Sequence, residues 1–145
     1  MEEDFYEDIS TEDEIYVVNG FDNKKRPEEK QMQVVVKQFS GSDLNYIARK
    51  TANTIVERLK GSDLKRGTDV WTKEYMNLYN MEVKKWEFVY RIKELINFKF
   101  KVGKDEKVFT DAEELFEYPN KKIAKIVEEI MFHFEGFDKL DLKNL

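Results

Sequence analysis

The stretch INFKFKVGKDEKVFTDAEELFEYPNKKIAKIVEEI, residues 96–130, contains in close order the two periodicities that decide the fold. In FKFKV, residues 98–102, apolar and polar side chains alternate, which predicts a strand with one buried face. From about residue 120 to 134 apolar side chains recur at helical spacing, and Gly136 is placed to end that helix. The stretch therefore predicts a mixed fold with a small hairpin and an amphipathic helix.

A second, shorter helix is predicted between these two elements. Thr110 and Glu113 have the spacing of a capping box, in which each side chain satisfies a free backbone N–H at a helix start. Pro119 follows closely and limits the length of this helix.

The first half of the chain predicts another hairpin, followed by two longer helices. The β-prone runs at residues 15–18 and 32–39 flank a loop that contains Asn19-Gly20 and Pro27. The first helix begins at Ser40 or Ser42, ends at a left-handed Gly61, and carries one apolar stripe.

The second long helix is predicted over residues 72–96, with an interruption near Asn80 as an open alternative. It is apolar on two sides, which favours a central position over a homo-oligomer contact, although both interpretations are kept. The fold class predicted from all these elements is α+β and mainly helical, with about four helices and one or two small β-hairpins.

Length and composition limit the architecture and the chemistry. The 145 residues suit one globular domain, predicted over residues 15–145, preceded by an acidic flexible arm, residues 1–14. The net charge is −5, and there are no cysteines, which excludes disulfides, thiolate chemistry and cysteine-based zinc sites. The acidic N-terminus has no apolar core of a signal peptide, and no apolar run approaches a membrane span. We therefore expect a cytoplasmic protein with no membrane contact.

Three segments are candidates for binding a protein partner. The arm holds eight acidic residues and no basic one, and it is either solvated or docks on a basic partner. The first hairpin's loop has a basic tip, and the C-terminal tail either folds back on the core or binds a partner. The candidate side chains are, in the arm, Phe5, Tyr6 and Ile9; in the loop tip, Lys24, Lys25 and Arg26; and in the tail, Phe137, Leu140 and Leu142.

No constellation of catalytic residues is recognisable. His133 is the only histidine, and no nucleophile or metal-ligand pattern accompanies it, so we interpret it as a boundary side chain and expect no catalytic residues, metal or cofactor. Adjacent carboxylates on a helix point in different directions, and no phosphate-binding glycine loop is present. The basic clusters lack interleaved aromatic side chains, which argues against nucleic acid as a partner.

The order of elements resembles a known family. A short β region, the helix SGSDLNYIARK, long central helices, the segment RIKELINFKF…KVFTDAEELFEYP and the closing helix KKIAKIVEEI are similar to the tail assembly chaperones of tailed bacteriophages. The resemblance covers roughly residues 32–134. It implies a mostly helical protein without catalytic residues that binds the tape-measure protein or other tail components in the host cytoplasm, with association with the virion as a further option. It assigns no functional residue.

Three functions follow as hypotheses. The first is a non-enzymatic chaperone or adaptor in virion assembly, with a viral structural or tail protein as its partner. The second is a small acidic inhibitor or regulator of a nucleic-acid enzyme, whose arm would imitate phosphates. The third is an enzyme with a carboxylate metal site, which would need three or more acidic side chains converging in a pocket.

Overall fold

The computed structural model describes residues 4–136. The predicted tail contacts Phe137, Leu140 and Leu142 lie outside the described residues. In chain order the elements are β1 (Glu14–Val17), β2 (Gln33–Val36), α1 (Gly41–Lys60), α2 (Asp69–Arg91), β3 (Ile92–Ile96), β4 (Lys99–Val102), β5 (Asp105–Val108), α3 (Ala112–Glu117) and α4 (Lys121–Phe134).

Within residues 4–136, two small antiparallel sheets accompany four helices, so the predicted fold class is confirmed. The first sheet has the order β1-β2-β3, with Tyr16 opposite Val34 and Val34 opposite Leu95. The second is the β4–β5 hairpin, in which Phe100 is opposite Lys107. Both predicted hairpins are therefore present, and the first gains β3 as a third strand.

One buried amide organises the long connection between β1 and β2. The Asn23 side chain is fully buried and donates from Nδ2 to the carbonyl oxygens of Val18, at 2.8 Å, and Met32, at 3.0 Å. Its Oδ1 accepts from the Met32 amide at 2.7 Å. Because Asn23 satisfies both flanks of the loop, the connection is closed without further strand pairing.

The start of α1 agrees with the sequence, but its end does not. Ser40 is the N-cap, and it forms a reciprocal capping box with Asp43. The prediction of a left-handed Gly61 was wrong, because its φ is −84°. The Leu59 carbonyl instead accepts from the Ser62 amide at 3.1 Å and the Ser62 hydroxyl at 2.7 Å, so the helix end is satisfied without a left-handed residue.

Helix α2 runs without interruption through Asn80 and ends at Arg91. The predicted continuation to residue 96 was wrong, since residues 92–96 form β3 and pair with β2. The helical spacing of Ile92 and Leu95 is overridden by this pairing, which buries Leu95 opposite the fully buried Val34.

The short helix α3 uses a different cap from the one predicted. Asp111, not Thr110, is its N-cap, and the Asp111 Oδ1 accepts from the Glu113 amide at 3.0 Å. The predicted Thr110–Glu113 capping box was therefore wrong by one residue. Helix α4 begins after the N-cap Asn120, and the predicted end is confirmed by Gly136, which has a φ of 82°.

The buried side chains form a central cluster and a separate seam between α1 and α2. The central cluster contains Val18, Met32, Val34, Phe88, Leu95, Phe98, Phe109, Ala112, Leu115, Ile123, Ile126, Val127 and Ile130. Among the described residues this cluster includes none from α1, whose buried face is formed by Ile47, Thr51, Ile55 and Leu59. Helix α1 packs against α2, and Arg58 bridges to the buried Glu82 at 2.8 Å.

The central cluster predicts the effect of truncating the stripe on α4. Ile126 and Ile130 are buried, so we expect either Ile→Ala substitution to lower the free energy of unfolding by about 2–5 kcal/mol. Urea denaturation followed by circular dichroism measures this change. Lys125→Ala, at an exposed position of the same helix, is the matched control. Unchanged stability in both isoleucine variants would contradict the assignment of this stripe to the core.

Candidate protein-binding surface

The arm presents apolar side chains that are almost fully exposed. Phe5 is 93%, Tyr6 84% and Ile9 78% exposed. The carboxylates around them, Asp4 and Asp8 among them, are exposed as well. Such side chains gain free energy when another surface covers them, and their role in partner binding stays a prediction.

The root of the arm is attached to the domain. Asp13 forms an ion pair with Lys93 at 2.8 Å and accepts from the Gln38 amide at 3.2 Å. The Gln38 side chain donates to the Glu12 carbonyl, and Glu14 already belongs to β1. The hydrogen bond from Lys93 lowers the pKa of Asp13, and the same bond raises the pKa of Lys93. The exposed arm within the described residues is therefore residues 4–11.

The Asp13 contact predicts a pH dependence at the root. A lowered pKa means that the folded state favours the carboxylate, so the contact contributes above the ordinary aspartate pKa of about 3.9 and is lost as pH falls through the lowered value. We expect the Gln38 amide resonance to titrate below about pH 4 in NMR spectra. Asp13→Asn should abolish this titration, whereas Asp8→Asn on the exposed arm should not. A wild-type resonance that does not move would contradict the contact.

The predicted basic tip lies at a short helical turn, Asn23–Lys25. Lys24 and Lys25 are exposed and Arg26 is half-buried. Lys25 faces Asp22 at 3.9 Å, and the Gln31 side chain donates to the carbonyls of Lys24 and Arg26. The Gln31 side chain thus holds the backbone of the tip in place. The role of the tip in partner binding stays a prediction.

A polar seam lies between α4 and the chain from β1 to Gly20, and it contains the side chains of Glu129 and His133. The Glu129 carboxylate accepts from the Tyr16 hydroxyl at 2.7 Å and from the amides of Asn19, at 2.8 Å, and Gly20, at 2.9 Å. His133 stacks on the Tyr16 ring with centroids 4.1 Å apart and pairs with Glu14. The contacts of Glu14 and Tyr16 tie β1 to α4, and those of Asn19 and Gly20 tie the following loop to the same helix.

At Gly20 an added side chain would have to displace Ile126 of the core. A Cβ at this position would stand 2.5 Å from Ile126 Cδ1, which is closer than non-bonded carbon atoms approach. Glycine lets the backbone approach α4 closely enough for the Gly20 amide to donate to Glu129.

An aromatic and basic surface lies along α1 and α2. Tyr46 stacks on Tyr90 with centroids 4.7 Å apart, and the Lys37 ammonium lies 3.4 Å from the Tyr90 centroid. The Lys50 ammonium lies 5.1 Å from the Trp86 centroid. We call this set the α1–α2 surface; its members are Lys37, Tyr46, Arg49, Lys50, Trp86 and Tyr90.

Sequence reasoning missed the α1–α2 surface. It treated α2 as a helix that is apolar on two sides and did not single out Tyr46, Trp86 or Tyr90. The available signal was the spacing of Tyr46, Arg49, Lys50 and Asn53, which places them on one face of α1, where they line a shallow cavity. Tyr90 and Trp86 of α2 contact Tyr46 and Lys50 of α1 only because the two helices pack together. No local sequence pattern indicates these contacts.

Residues 4–136 contain no group of three or more histidine, cysteine, aspartate or glutamate side chains arranged to hold a metal ion. Within the same range, no helix combines the length and apolar character needed to cross a membrane.

Comparison with known proteins identifies no relative. No family model matches the chain, and neither a curated protein nor a solved structure matches it significantly.

Proposed function

We propose that this chain is a non-enzymatic protein-binding adaptor or chaperone. The observation that carries this proposal is the acidic arm, in which Phe5, Tyr6 and Ile9 are exposed while the arm's root is attached to a folded domain. The domain supplies a support, and the arm supplies the binding segment.

The chemistry of the arm defines the partner that it fits. Aromatic side chains bind in pockets and often carry much of the energy of a protein interface. The flanking carboxylates attract a basic surface from a distance and therefore act mainly on the association rate. The partner that fits is a protein surface with apolar pockets bordered by lysine or arginine side chains.

The biological setting is proposed from the resemblance to phage tail assembly chaperones. In that setting the partner is a tail or other structural protein of the virion, bound in the host cytoplasm before assembly, and the chain could remain with the virion. The concentration of carboxylates in the arm also supports the second hypothesis, a regulator of a nucleic-acid enzyme. The identity of the captured partner distinguishes the two.

Deleting the exposed arm tests the proposed function. Removing residues 2–11 leaves the Asp13 root intact, so we expect an unchanged melting temperature and weaker capture of the partner from the native host, with the partner identified by mass spectrometry. The remaining binding should be less sensitive to salt, because exposed charges are screened over about 10 Å at 0.1 M and about 3 Å at 1 M salt.

Substitutions within the arm provide the matched control for this deletion. Phe5→Ala with Tyr6→Ala should weaken capture, whereas Ser10→Ala with Thr11→Ala, in the same exposed segment, should not. If the deletion of residues 2–11 lowers the melting temperature and leaves capture unaltered, the arm stabilises its own domain and the proposal is refuted.

Replacing His133 distinguishes the adaptor from an enzyme. His133→Gln keeps a planar side chain beside Tyr16, so wherever the variant folds we expect biological activity and partner capture to persist. Circular dichroism monitors folding. Lost activity with normal folding and normal capture would support the enzyme hypothesis instead.

A further inference from the structure

The chain carries two surfaces whose chemistry is complementary. The exposed arm, residues 4–11, combines carboxylates with Phe5, Tyr6 and Ile9. The α1–α2 surface combines cations with aromatic rings. The charge of the chain is divided in the same way, since residues 1–14 have eight acidic and no basic residues, whereas residues 37–68 have seven basic and three acidic residues.

The cations of the α1–α2 surface are accessible to a ligand. Arg49 and Lys50 are exposed, and Tyr46 is 49% exposed, so together they form a rim around a shallow cavity. Asp43, the acidic residue in the first turn of α1, is engaged by the capping box, because its Oδ2 accepts from the Ser40 amide at 2.7 Å. That hydrogen bond is the main cause of the lowered pKa of Asp43. Asp43 also attracts Lys37, so Arg49 and Lys50 are the exposed cations that this surface offers to additional carboxylates.

The arm has the dimensions to cover this surface. Eight extended residues span at most about 26–29 Å. The exposed face of α1 from Tyr46 to Asn53 is about 10 Å long at the helical rise per residue. A segment that crosses it can place a ring of Phe5 or Tyr6 beside Tyr46 and carboxylates beside Arg49 and Lys50.

We propose that the exposed arm of one copy binds the α1–α2 surface of a second copy. The proposal rests on the proposed function of the arm as a binding segment and names one partner for it. The two surfaces differ, so the contact is heterologous: each copy offers an arm to one neighbour and a surface to another. Self-association and the capture of a different partner then compete for the same arm.

A second copy is the occupant that the geometry favours over the chain's own arm. The arm's root is held by Gln38 and Lys93, next to Lys37, yet Phe5 is 93% and Tyr6 84% exposed. In the same molecule Tyr46, Arg49 and Lys50 also remain uncovered. The fold thus presents both surfaces outward at the same time.

Two variants that each lack one surface test the proposal. One variant lacks residues 2–11; the other carries Arg49→Glu and Lys50→Glu and keeps the arm. We expect wild type to associate with rising concentration in sedimentation velocity, and each variant alone to stay monomeric. An equimolar mixture should form a 1:1 dimer and no larger species, because only one arm–surface contact can form in it.

The matched control reverses the charge of two exposed lysine side chains outside the α1–α2 surface. Lys121→Glu with Lys122→Glu, at the start of α4, should associate like wild type. The milder pair Arg49→Gln with Lys50→Gln should raise the dissociation constant roughly tenfold or more, and association should weaken between about 0.05 M and 0.5 M salt.

Four results would overturn the proposal. The first is a wild-type monomer at every concentration, and the second is a mixture that does not form the dimer although circular dichroism shows both variants folded. The third is a monomer whose α1–α2 surface binds a fluorescent single-stranded oligonucleotide, with binding lost in the Arg49→Glu/Lys50→Glu variant. A monomer in which Arg49→Glu/Lys50→Glu shifts the NMR signals of the arm would show binding within one chain and would likewise refute it.

This experiment is independent of the test of the adaptor function. If the wild type is monomeric but deletion of the arm abolishes partner capture, the second copy is excluded as the occupant and the adaptor function stands. If the mixture forms the dimer but the deletion leaves capture from the host unchanged, the self-contact stands and the adaptor function fails.

Discussion

The pairing of β2 with β3 is the contact on which the rest of the structure depends. Strand β2 lies between β1 and β3, and its Val34 is fully buried. This pairing ends α2 at Arg91, and the Arg91 carbonyl accepts from the Lys37 amide at 3.0 Å. Because β1 pairs with the other edge of β2, the same sheet places the root of the arm beside Lys93. One strand therefore determines where the arm leaves the domain and where the α1–α2 pair begins.

The residues of the central cluster and those of the α1–α2 surface lie in different parts of the fold. The central cluster draws on both sheets and on α2, α3 and α4, while α1 is held mainly by α2. A helix with one packing partner leaves more of its circumference uncovered than a helix inside a core. That geometry leaves Tyr46, Arg49 and Lys50 exposed on a folded support. Substitutions of these residues should therefore affect association more than they affect the stability of the central core.

Polar side chains make the connections that the short strands cannot. The strands of the first sheet contain four or five residues, so few ladder hydrogen bonds hold them. Asn23 closes the β1–β2 loop with three hydrogen bonds. Glu129 accepts one hydrogen bond from Tyr16 in β1 and two from the loop amides of Asn19 and Gly20, which joins the strand and the loop to α4. A buried group whose donors and acceptors are satisfied specifies one arrangement, because any other leaves it unpaired.

The sequence by itself determined the fold class with one or two hairpins, the α4 stripe and the end of α4 at Gly136, and it limited the cap of α1 to Ser40 or Ser42. These features depend on local periodicity and on side chains that bond to nearby backbone. Tertiary structure decided the features that depend on distant partners. Ile92–Ile96 is a strand because β2 offers it an edge, and Gly61 needs no left-handed turn because Ser62 satisfies the helix end. The α1–α2 surface exists only because packing brings Tyr46 to Tyr90 and Lys50 to Trp86, pairs separated by more than thirty residues in the chain.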